Sequence, residues 1–280
     1  MPVTGMTTVT DTAEPLPAIT IDDASVTAFR RDGAVCLRGL FRDWIDILAR
    51  GIERNMAAPS EDVRIYDGGA GRFFGDYCNW QRIPEYRQFV FESPAARVAR
   101  ILMGSRSVRL FHEHVLIKEP GADVPTPWHQ DQPYYCVDGA QSCSIWVPLD
   151  PVDRATSPEF VAGSHGWDQF FRPERFNRTP LNEADGLPAV PDIEADRARY
   201  DILGWDMEPG DAVAFTFRTL HGAPANKRQD RARRAFSSRW VGDDATFARR
   251  PGTTSPPFRH VTLAHGAPLE GPDFPLVIGG

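Results

Sequence analysis

The first hundred residues place most apolar side chains at helical spacing. An acidic start is followed by Val26 and Phe29, three positions apart, as on one face of a helix. Asp32 and Gly33 then turn the chain into an apolar run that is typical of a strand. A glycine-rich stretch with three aromatic residues, 67–77, is interpreted as an ordered loop. The pattern predicts helices over residues 21–31, 41–56 and 94–103 and a strand over 34–38.

From residue 108 onward the alternation changes to a period of two, which is the spacing of half-buried strands. Helices first and strands afterwards indicate an α+β chain that is mainly β, with an antiparallel core. One polar segment, 168–207, has weak periodicity, and so long an irregular stretch in a compact domain is typical of a lid or an insertion. The strands are predicted over residues 108–118, 124–131, 143–149, 159–162, 211–217 and 233–241.

Composition narrows the domain organisation and the classes of partner. The length of 280 residues fits one large domain, which we predict over 19–280 after a disordered N-terminal segment, 1–18. The formal net charge of -7 argues against nucleic acid as the main partner. Four cysteines without CxxC spacing favour a reducing compartment, and no apolar run reaches membrane length. We therefore expect a cytoplasmic protein, monomeric or homodimeric, that acts on a small molecule.

One motif joins chemistry to this pattern, because His129 and Asp131 lie two residues apart in the predicted strand 124–131. Residues i and i+2 of a strand share a face, so this imidazole and this carboxylate could reach the same metal ion. A second histidine would complete the 2-His-1-carboxylate triad of non-haem Fe(II) oxygenases, and His221 is the candidate. A metal held from two distant strands predicts a barrel-like jelly roll.

Two other interpretations stay open. His112, His114 and Glu119 have the HxHxxxxE spacing of a cupin metal site, although the glycines that frame a cupin motif stand at other distances here. The simpler interpretation of His112 and His114 is that they lie on the outer or packing face of a strand. The other alternative is a barrel that binds a small molecule without catalysing a reaction.

A basic cluster follows His221 at the start of the last predicted strand. A guanidinium binds a carboxylate through two hydrogen bonds and stays charged when buried, which suits an oxygenase that uses a 2-oxo acid. Strand parity puts Arg233 with Ala235 on one face and Arg234 with Phe236 on the other. A cosubstrate pocket needs small neighbours, so Arg233 is favoured and Arg234 stays open.

With these motifs assembled, the chain resembles the phytanoyl-CoA dioxygenase family of Fe(II)- and 2-oxoglutarate-dependent oxygenases over residues 20–245. That resemblance implies a double-stranded β-helix with flanking helices. It also implies iron bound by His129, Asp131 and His221, with the distal carboxylate of 2-oxoglutarate bound by Arg233. The motifs that carry the resemblance are, in order, Trp128-His129-Gln130-Asp131, Gly163-Ser164-His165, His221-Gly222, Asn226-Lys227 and Arg233.

One position departs from the family pattern. Relatives often have a serine two residues after the distal histidine, where this chain has Ala223. Ser144 or Ser237 is a candidate to supply that hydroxyl to 2-oxoglutarate. Related halogenases replace the aspartate by a small residue, so Asp131 predicts hydroxylation with O2, 2-oxoglutarate and Fe(II), releasing succinate and CO2.

The substrate is expected to meet residues that adjoin the metal motif or lie on a nearby strand. Family members act on acyl-CoA thioesters, amino-acid derivatives and natural products, and the sequence favours none of these. The residues predicted to line the substrate pocket are Gln130, Tyr134, Tyr135 and Trp146.

Overall fold

The computed structural model of the chain describes residues 19–175, 179–182 and 186–279. The disordered segment predicted over 1–18 lies outside the described residues. Two β-sheets enclose a cavity between them, and helices from the first part of the chain cover the outer side of the larger sheet. This arrangement confirms the predicted α+β, mainly β class and the jelly-roll core.

The helices have recognisable start and stop signals. The first, α1 (Asp23–Asp32), begins after Asp22, whose carboxylate accepts a hydrogen bond from the Ser25 amide at 2.7 Å. It ends at Gly33, where a φ of 80° lies in the left-handed region that favours glycine. None of the described helices has the length and apolar character that crossing a membrane requires. The other helices are α2 (Ile45–Ala57), α3 (Pro84–Glu92) and α4 (Ala95–Met103).

The strands are antiparallel wherever they pair. In chain order they are β1 (Ala34–Leu37), β2 (Arg64–Gly68), β3 (Gly71–Tyr77), β4 (Val108–Lys118), β5 (Thr126–His129), β6 (Val137–Asp138), β7 (Ser142–Pro148), β8 (Glu159–Val161), β9 (Ile202–Leu203), β10 (Ala212–Phe215), β11 (His221–Ala223), β12 (Arg233–Val241), β13 (Thr246–Phe247) and β14 (Leu276–Ile278).

The larger sheet has eight strands in the order β1-β10-β7-β12-β4-β3-β2, with β14 added beside β4. The smaller sheet has four strands in the order β5-β11-β8-β9. A separate pair is formed by β6 and β13. Apart from the hairpin of β2 and β3, neighbours in these sheets are distant in sequence, so the sheets bring together residues from the middle and the end of the chain.

Side chains of β12 show how the larger sheet divides its two faces. Phe236 and Trp240 are fully buried and pack in the core that the helices share, where Phe236 lies 4.8 Å from the ring of Tyr86 between centroids. Each such side chain contributes about 1.5–3 kcal/mol through burial. Arg233 and Arg239 line the cavity on the opposite face. The helices therefore cover an apolar face, and the polar face of the same strand is turned inward.

Residues 67–77, predicted as a loop, instead form most of a hairpin made by β2 and β3. Gly69 stands at its turn with a φ of 70°. Gly75 lies within β3, where a Cβ would come 3.0 Å from Nε2 of His114. These glycines interrupt the alternation of apolar and polar residues, so the sequence pattern did not predict the two strands. The helix α3 was also not predicted.

The segment 168–207 is partly built into the fold. It contains β9, which extends the smaller sheet beside β8. Phe171 and Ile193 are buried within it, the second completely. That the segment is an insertion or a lid stays a prediction.

Candidate metal centre

The two histidines of the predicted triad come from neighbouring strands of the smaller sheet. His129 ends β5, His221 begins β11, and the register pairs these two residues directly. Their ring centroids lie 4.2 Å apart, with an angle of 46° between the ring planes. Antiparallel pairing thus places two imidazoles side by side at one wall of the cavity.

Backbone carbonyls orient both rings. Nδ1 of His129 donates to the carbonyl of Pro127 at 2.8 Å, and Nδ1 of His221 donates to that of Thr219 at 2.9 Å. In each ring the lone pair of Nε2 is left for another partner, as in metal-bound histidines. Burial, together with the nearby His129, lowers the pKa of His221 to about 3, so this ring is neutral at physiological pH.

Asp131 completes the cluster from a turn. The predicted reason, a shared strand face with His129, is wrong, because β5 ends at His129. Asp131 has a helical φ of -69° and precedes a single 3-10 turn, Gln132–Tyr134. Its Oδ1 nevertheless lies 3.6 Å from Nε2 of His129 and 4.0 Å from Nε2 of His221. The turn brings the carboxylate to the same point as the two imidazoles.

The second oxygen of Asp131 is held by the larger sheet. Ser144 donates to Oδ2 at 3.1 Å, and Nε of Arg239 lies 3.7 Å from the same oxygen. Nε of Arg239 also donates to the hydroxyl of Tyr135 at 2.6 Å. Burial alone would raise the pKa of the Asp131 carboxyl, but the guanidinium and the two imidazoles hold it well below its usual range. Asp131 is therefore a buried carboxylate with Oδ1 directed at the histidines.

These three side chains suit a metal ion by donor type and by spacing. Each offers one ligand atom, and the atoms lie within 4.8 Å of one another. No other group of three His, Cys, Asp or Glu residues has this spacing within the part of the chain that the structure describes. Two imidazoles and one carboxylate bind one face of Fe(II) and leave other coordination positions open.

A cationic region lies in the same cavity, at the far end of β12 from Arg239. The register pairs Arg233 with Lys118 of β4, and both side chains line the cavity. They are 7% and 2% exposed. Arg233 donates to the carbonyl of Thr156, and Nζ of Lys118 donates to that of Pro224 at 3.0 Å. Among the described residues neither has a carboxylate partner, so this region suits an anion.

Arg234, the alternative to Arg233, has a partner on the other face of β12. Its Nε donates to Oδ2 of Asp150 at 3.0 Å, and its Nη2 donates to Oδ1 at 2.7 Å. This two-bond pair satisfies the guanidinium outside the cavity. The structure therefore separates the two candidates: Arg233 faces the cavity and Arg234 is already paired.

The profile of the family described as phytanoyl-CoA dioxygenase (PhyH) matches residues 29–235 of this chain. The chain belongs to the phytanoyl-CoA dioxygenase family. A "Probable phytanoyl-CoA dioxygenase" of Caenorhabditis elegans is 27% identical over 165 residues, which are 56% of this chain and 51% of that protein. The chain thus spans about half the length of this curated relative.

Solved structures resemble the chain over most of its length. The carbocyclase SnoK of nogalamycin biosynthesis has a TM-score of 0.71 and 24% identity, and the match covers 92% of this chain and 96% of SnoK. The epimerase SnoN, solved with Fe3+, alpha ketoglutarate and nogalamycin RO, has a TM-score of 0.67 and 25% identity. The match covers 91% of this chain and 98% of SnoN. EctD from S. alaskensis, solved with 2-oxoglutarate and 5-hydroxyectoine, has a TM-score of 0.64 and 20% identity. The match covers 83% of this chain and 80% of EctD. These likenesses confirm the fold of the family.

The residues predicted to contact substrate divide into two groups. Tyr134, Tyr135 and Trp146 line the cavity of this family member. Gln130 does not belong to the lining. Its amide donates to the carbonyl of Gln169 at 3.0 Å and accepts from the amide of Phe171 at 3.1 Å. Gln130 therefore ties the metal motif to the segment 168–207.

The histidines of the cupin alternative face the cavity as well. His112 and His114 line it together with Lys118, because alternate residues of β4 share a face. The expectation that they lie on an outer or packing face was wrong. Glu119 does not join them, since it pairs with Arg72 at 2.7 Å beyond the end of the strand.

Two residues of the site were missed in the sequence. The sequence analysis assigned neither Lys118 nor Arg239 to the site. The signal was parity. Arg239 shares a strand face with Arg233, and Lys118 shares one with His112 and His114, so alternation groups each of them with a residue that was already considered.

Proposed function

We propose that this member of the phytanoyl-CoA dioxygenase family is an Fe(II)- and 2-oxoglutarate-dependent oxygenase that hydroxylates a small molecule. One observation carries the proposal: a three-residue metal-ligand cluster and two buried basic side chains without carboxylate partners line the same cavity of the described chain. A metal ion fits the cluster, and a dicarboxylate cosubstrate fits the two basic side chains. The epimerase SnoN, solved with Fe3+ and alpha ketoglutarate, supports the same pair of ligands here.

The chain's residues would then have separate tasks. His129, Asp131 and His221 hold the ion, while Arg233 and Lys118 hold the distal carboxylate of 2-oxoglutarate. When bound together, iron, 2-oxoglutarate and O2 supply the oxidant. In balance, 2-oxoglutarate, O2 and a substrate C–H bond give succinate, CO2 and a substrate C–OH. The apolar cavity walls keep water from the reacting groups.

Asp131 supports hydroxylation over halogenation. With His129, Asp131 and His221 as ligands, iron would keep its open positions for 2-oxoglutarate and O2. A halide would then have to replace Asp131. Similar solved structures are a carbocyclase and an epimerase, so ring closure and epimerisation are the other reactions to test. Product mass separates them, because hydroxylation adds one oxygen, ring closure removes two hydrogens and epimerisation leaves the mass unchanged.

Metal content tests the proposal without knowledge of the substrate. His129→Ala and His221→Ala should each weaken Fe(II) or Ni(II) binding by more than about 100-fold, since even an outer-shell partner of a metal ligand is worth about 10- to 100-fold. His260→Ala is the matched control, because this histidine is exposed and pairs with Asp273 at 3.0 Å.

The cupin alternative has its own outcome in the same measurement. His112→Ala should retain the metal, since His112 is outside the three-residue cluster. Loss of metal from His112→Ala with retention by His221→Ala would contradict the proposed centre. Retention by all variants would show that the metal binds elsewhere.

We also propose that part of segment 168–207 acts as a lid over the cavity. Glu174 of this segment lines the cavity, and the hydroxyl of Tyr134 donates to its carbonyl at 2.7 Å. Hydrogen exchange of its amides should slow when metal, 2-oxoglutarate and substrate bind. Equal exchange in the free and fully bound protein would contradict a lid.

A further inference from the structure

A row of polar side chains crosses the inner face of the larger sheet beside the metal centre. The register places Tyr77 of β3 opposite His114 of β4, and His114 opposite Ser237 of β12. His112 faces inward one step along β4, opposite Arg239. All of these residues line the cavity. The row lies towards the Arg239 end of β12, away from the pair Arg233 and Lys118, which the proposed function reserves for 2-oxoglutarate.

Several atoms of this row have no partner within the described part of the chain. Oγ of Ser237 and Nε2 of His112 are buried without a hydrogen bond. The ring of His114 contacts the ring of Tyr77 edge-on, with 5.4 Å between the centroids. The nitrogens of His114 make no hydrogen bond to the described residues. Leaving a buried polar group unsatisfied costs about 1–3 kcal/mol. Two such groups on one cavity wall, beside His114, indicate that a ligand completes them.

The tautomer of His112 restricts the ligand group. Its Nδ1 donates to the carbonyl of Glu113 at 3.1 Å, so Nε2 of the neutral ring can only accept a hydrogen bond. The hydroxyl of Ser237 can donate as well as accept. A substrate hydroxyl satisfies both, because it donates to one group and accepts from the other. A carboxylate has no hydrogen to give to His112.

Charge excludes ionic groups from the same wall. The Arg239 guanidinium lies 3.7 Å from the Asp131 carboxylate and donates a hydrogen bond to the Tyr135 hydroxyl, so it is already paired. Glu174 lies 4.0 Å from Arg172. Burial lowers the pKa of His114 to about 3, so the ring does not supply a positive charge at neutral pH. A phosphate or carboxylate group on the substrate would find no free cation at this wall among the described residues and would lose its hydration.

The remaining walls are aromatic. Besides Tyr77, the lining includes Phe73, Tyr134, Tyr135 and Phe160. Gly75 leaves room at the ring of His114, since a Cβ there would lie 3.0 Å from Nε2. The cavity has a volume of about 170 Å³. Flat aromatic faces beside a wall without a free cation favour a ring compound over a flexible acyl chain.

We propose that the substrate is an uncharged ring compound whose hydroxyl group is hydrogen-bonded by His112, His114 and Ser237. The proposal rests on the proposed oxygenase function and narrows its substrate class. It excludes coenzyme A thioesters and zwitterionic amino acids as substrates of this chain.

Binding to the inactive Ni(II) and 2-oxoglutarate complex tests the proposal with four probes: 2-naphthol, 2-methoxynaphthalene, 2-naphthoate and acetyl-CoA. Calorimetry should show 2-naphthol bound at least about 5-fold more tightly than its methyl ether and 2-naphthoate, which is the scale of one hydrogen bond. Acetyl-CoA should not compete with 2-naphthol. Equal or tighter binding of 2-naphthoate or acetyl-CoA, or no binding of any probe, would overturn the proposal.

Variants locate the effect. Ser237→Ala and His114→Phe should each remove most of the preference for 2-naphthol over its ether, and His114→Gln should keep part of it. Ser238→Ala is the matched control, because Ser238 is the next residue, fully buried on the opposite face, where it accepts from Nε1 of Trp240 at 2.9 Å. An unchanged preference in both Ser237→Ala and His114→Phe would overturn the assignment.

The same samples separate this proposal from the function on which it rests. Ni(II) and 2-oxoglutarate binding are measured first on the wild-type protein. Their failure contradicts the oxygenase function. Intact binding of both, with no preference among the probes, contradicts only the substrate class.

Discussion

Two arginines on the same face of β12 are both buried, but only one of them has a carboxylate partner. Arg239 is 5% exposed, lies 3.7 Å from Asp131 and donates to Tyr135. Arg233 is 7% exposed, and its guanidinium donates to a backbone carbonyl, with no carboxylate partner among the described residues. The residue type, the strand and the degree of burial are the same, so the difference lies in what completes each charge.

The pKa values express this difference. Burial lowers the pKa of Arg233 to about 10 from its usual 12.5, because nothing nearby compensates its charge. Burial would also lower the pKa of Arg239, but Tyr135 and Asp131 outweigh it and raise the value. A protein keeps an uncompensated buried charge where a ligand supplies the opposite charge. Arg239 therefore stabilises the metal centre through Asp131, and Arg233 is free to bind the cosubstrate.

The largest effect on stability should come from Arg239→Met. Removing Arg239 leaves the buried Asp131 carboxylate without its counter-charge and the Tyr135 hydroxyl without its donor, which should lower the free energy of unfolding of the metal-free protein by about 3–5 kcal/mol. Denaturant unfolding measures the change. Arg54→Met is the control, because Arg54 pairs with Glu85 while remaining 56% exposed, and its loss should cost at most about 1 kcal/mol. If both variants lost a similarly small free energy of unfolding, the buried charge of Arg239 would not stabilise the protein more than an exposed ion pair does.

Arg233→Met should separate stability from binding. The folded state disfavours the charged form of Arg233, so below its folded pKa the charge costs stability. At neutral pH the variant should be as stable as the wild type or more stable. It should bind 2-oxoglutarate about 10-fold or more weakly, since hydrogen bonds to charged groups are worth about 1.5–3 kcal/mol. Calorimetry on the Ni(II)-loaded protein measures the affinity, and metal binding should be retained.

Arg234→Met is the matched neighbour for this test. It breaks the pair with Asp150 and should leave 2-oxoglutarate affinity unchanged, because Arg234 does not line the cavity. If Arg234→Met weakens 2-oxoglutarate binding and Arg233→Met does not, the assignment of the two arginines is reversed.

The smallest effect should come from Lys118→Met. Lys118 lies beside Arg233 in the register, but its Nζ also donates to Pro224 and lies 5.0 Å from the ring centroid of Phe73. We expect roughly 5-fold weaker 2-oxoglutarate binding, the scale of one hydrogen bond. A loss as large as that of Arg233→Met would make the lysine an equal partner, and no loss would leave the arginine as the sole anion ligand.

Strand periodicity predicted the parts of the site that lie in regular strands. Alternation and small neighbours favoured the face of β12 that carries Arg233. The order of helices and strands predicted the α+β class, and a metal held from two distant strands predicted the jelly roll. Asp131 shows the limit, because it reaches the metal from a turn that begins after β5 ends. The two-residue spacing was correct, but backbone geometry and not strand parity brings the carboxylate to His129.

Other features depend on contacts between segments that are distant in sequence. His112 and His114 were placed on the wrong face because nothing local indicates which side of β4 faces the cavity. Ser144, a candidate ligand for 2-oxoglutarate, instead donates to Asp131 in the structure. The hairpin of β2 and β3 was hidden by glycines such as Gly75, whose small size serves the ring of His114. Each of these depends on a tertiary neighbour that a local pattern does not contain.

The most direct test of the central claim is an anaerobic titration of 2-oxoglutarate into the Fe(II)-loaded protein, followed by visible absorption. A 2-oxo acid that chelates Fe(II) through its keto and carboxylate oxygens gives a charge-transfer band. We predict that this band grows with added 2-oxoglutarate and saturates at one equivalent per chain. A protein that binds Fe(II) on His129, Asp131 and His221 yet shows no such band at saturating 2-oxoglutarate would contradict it.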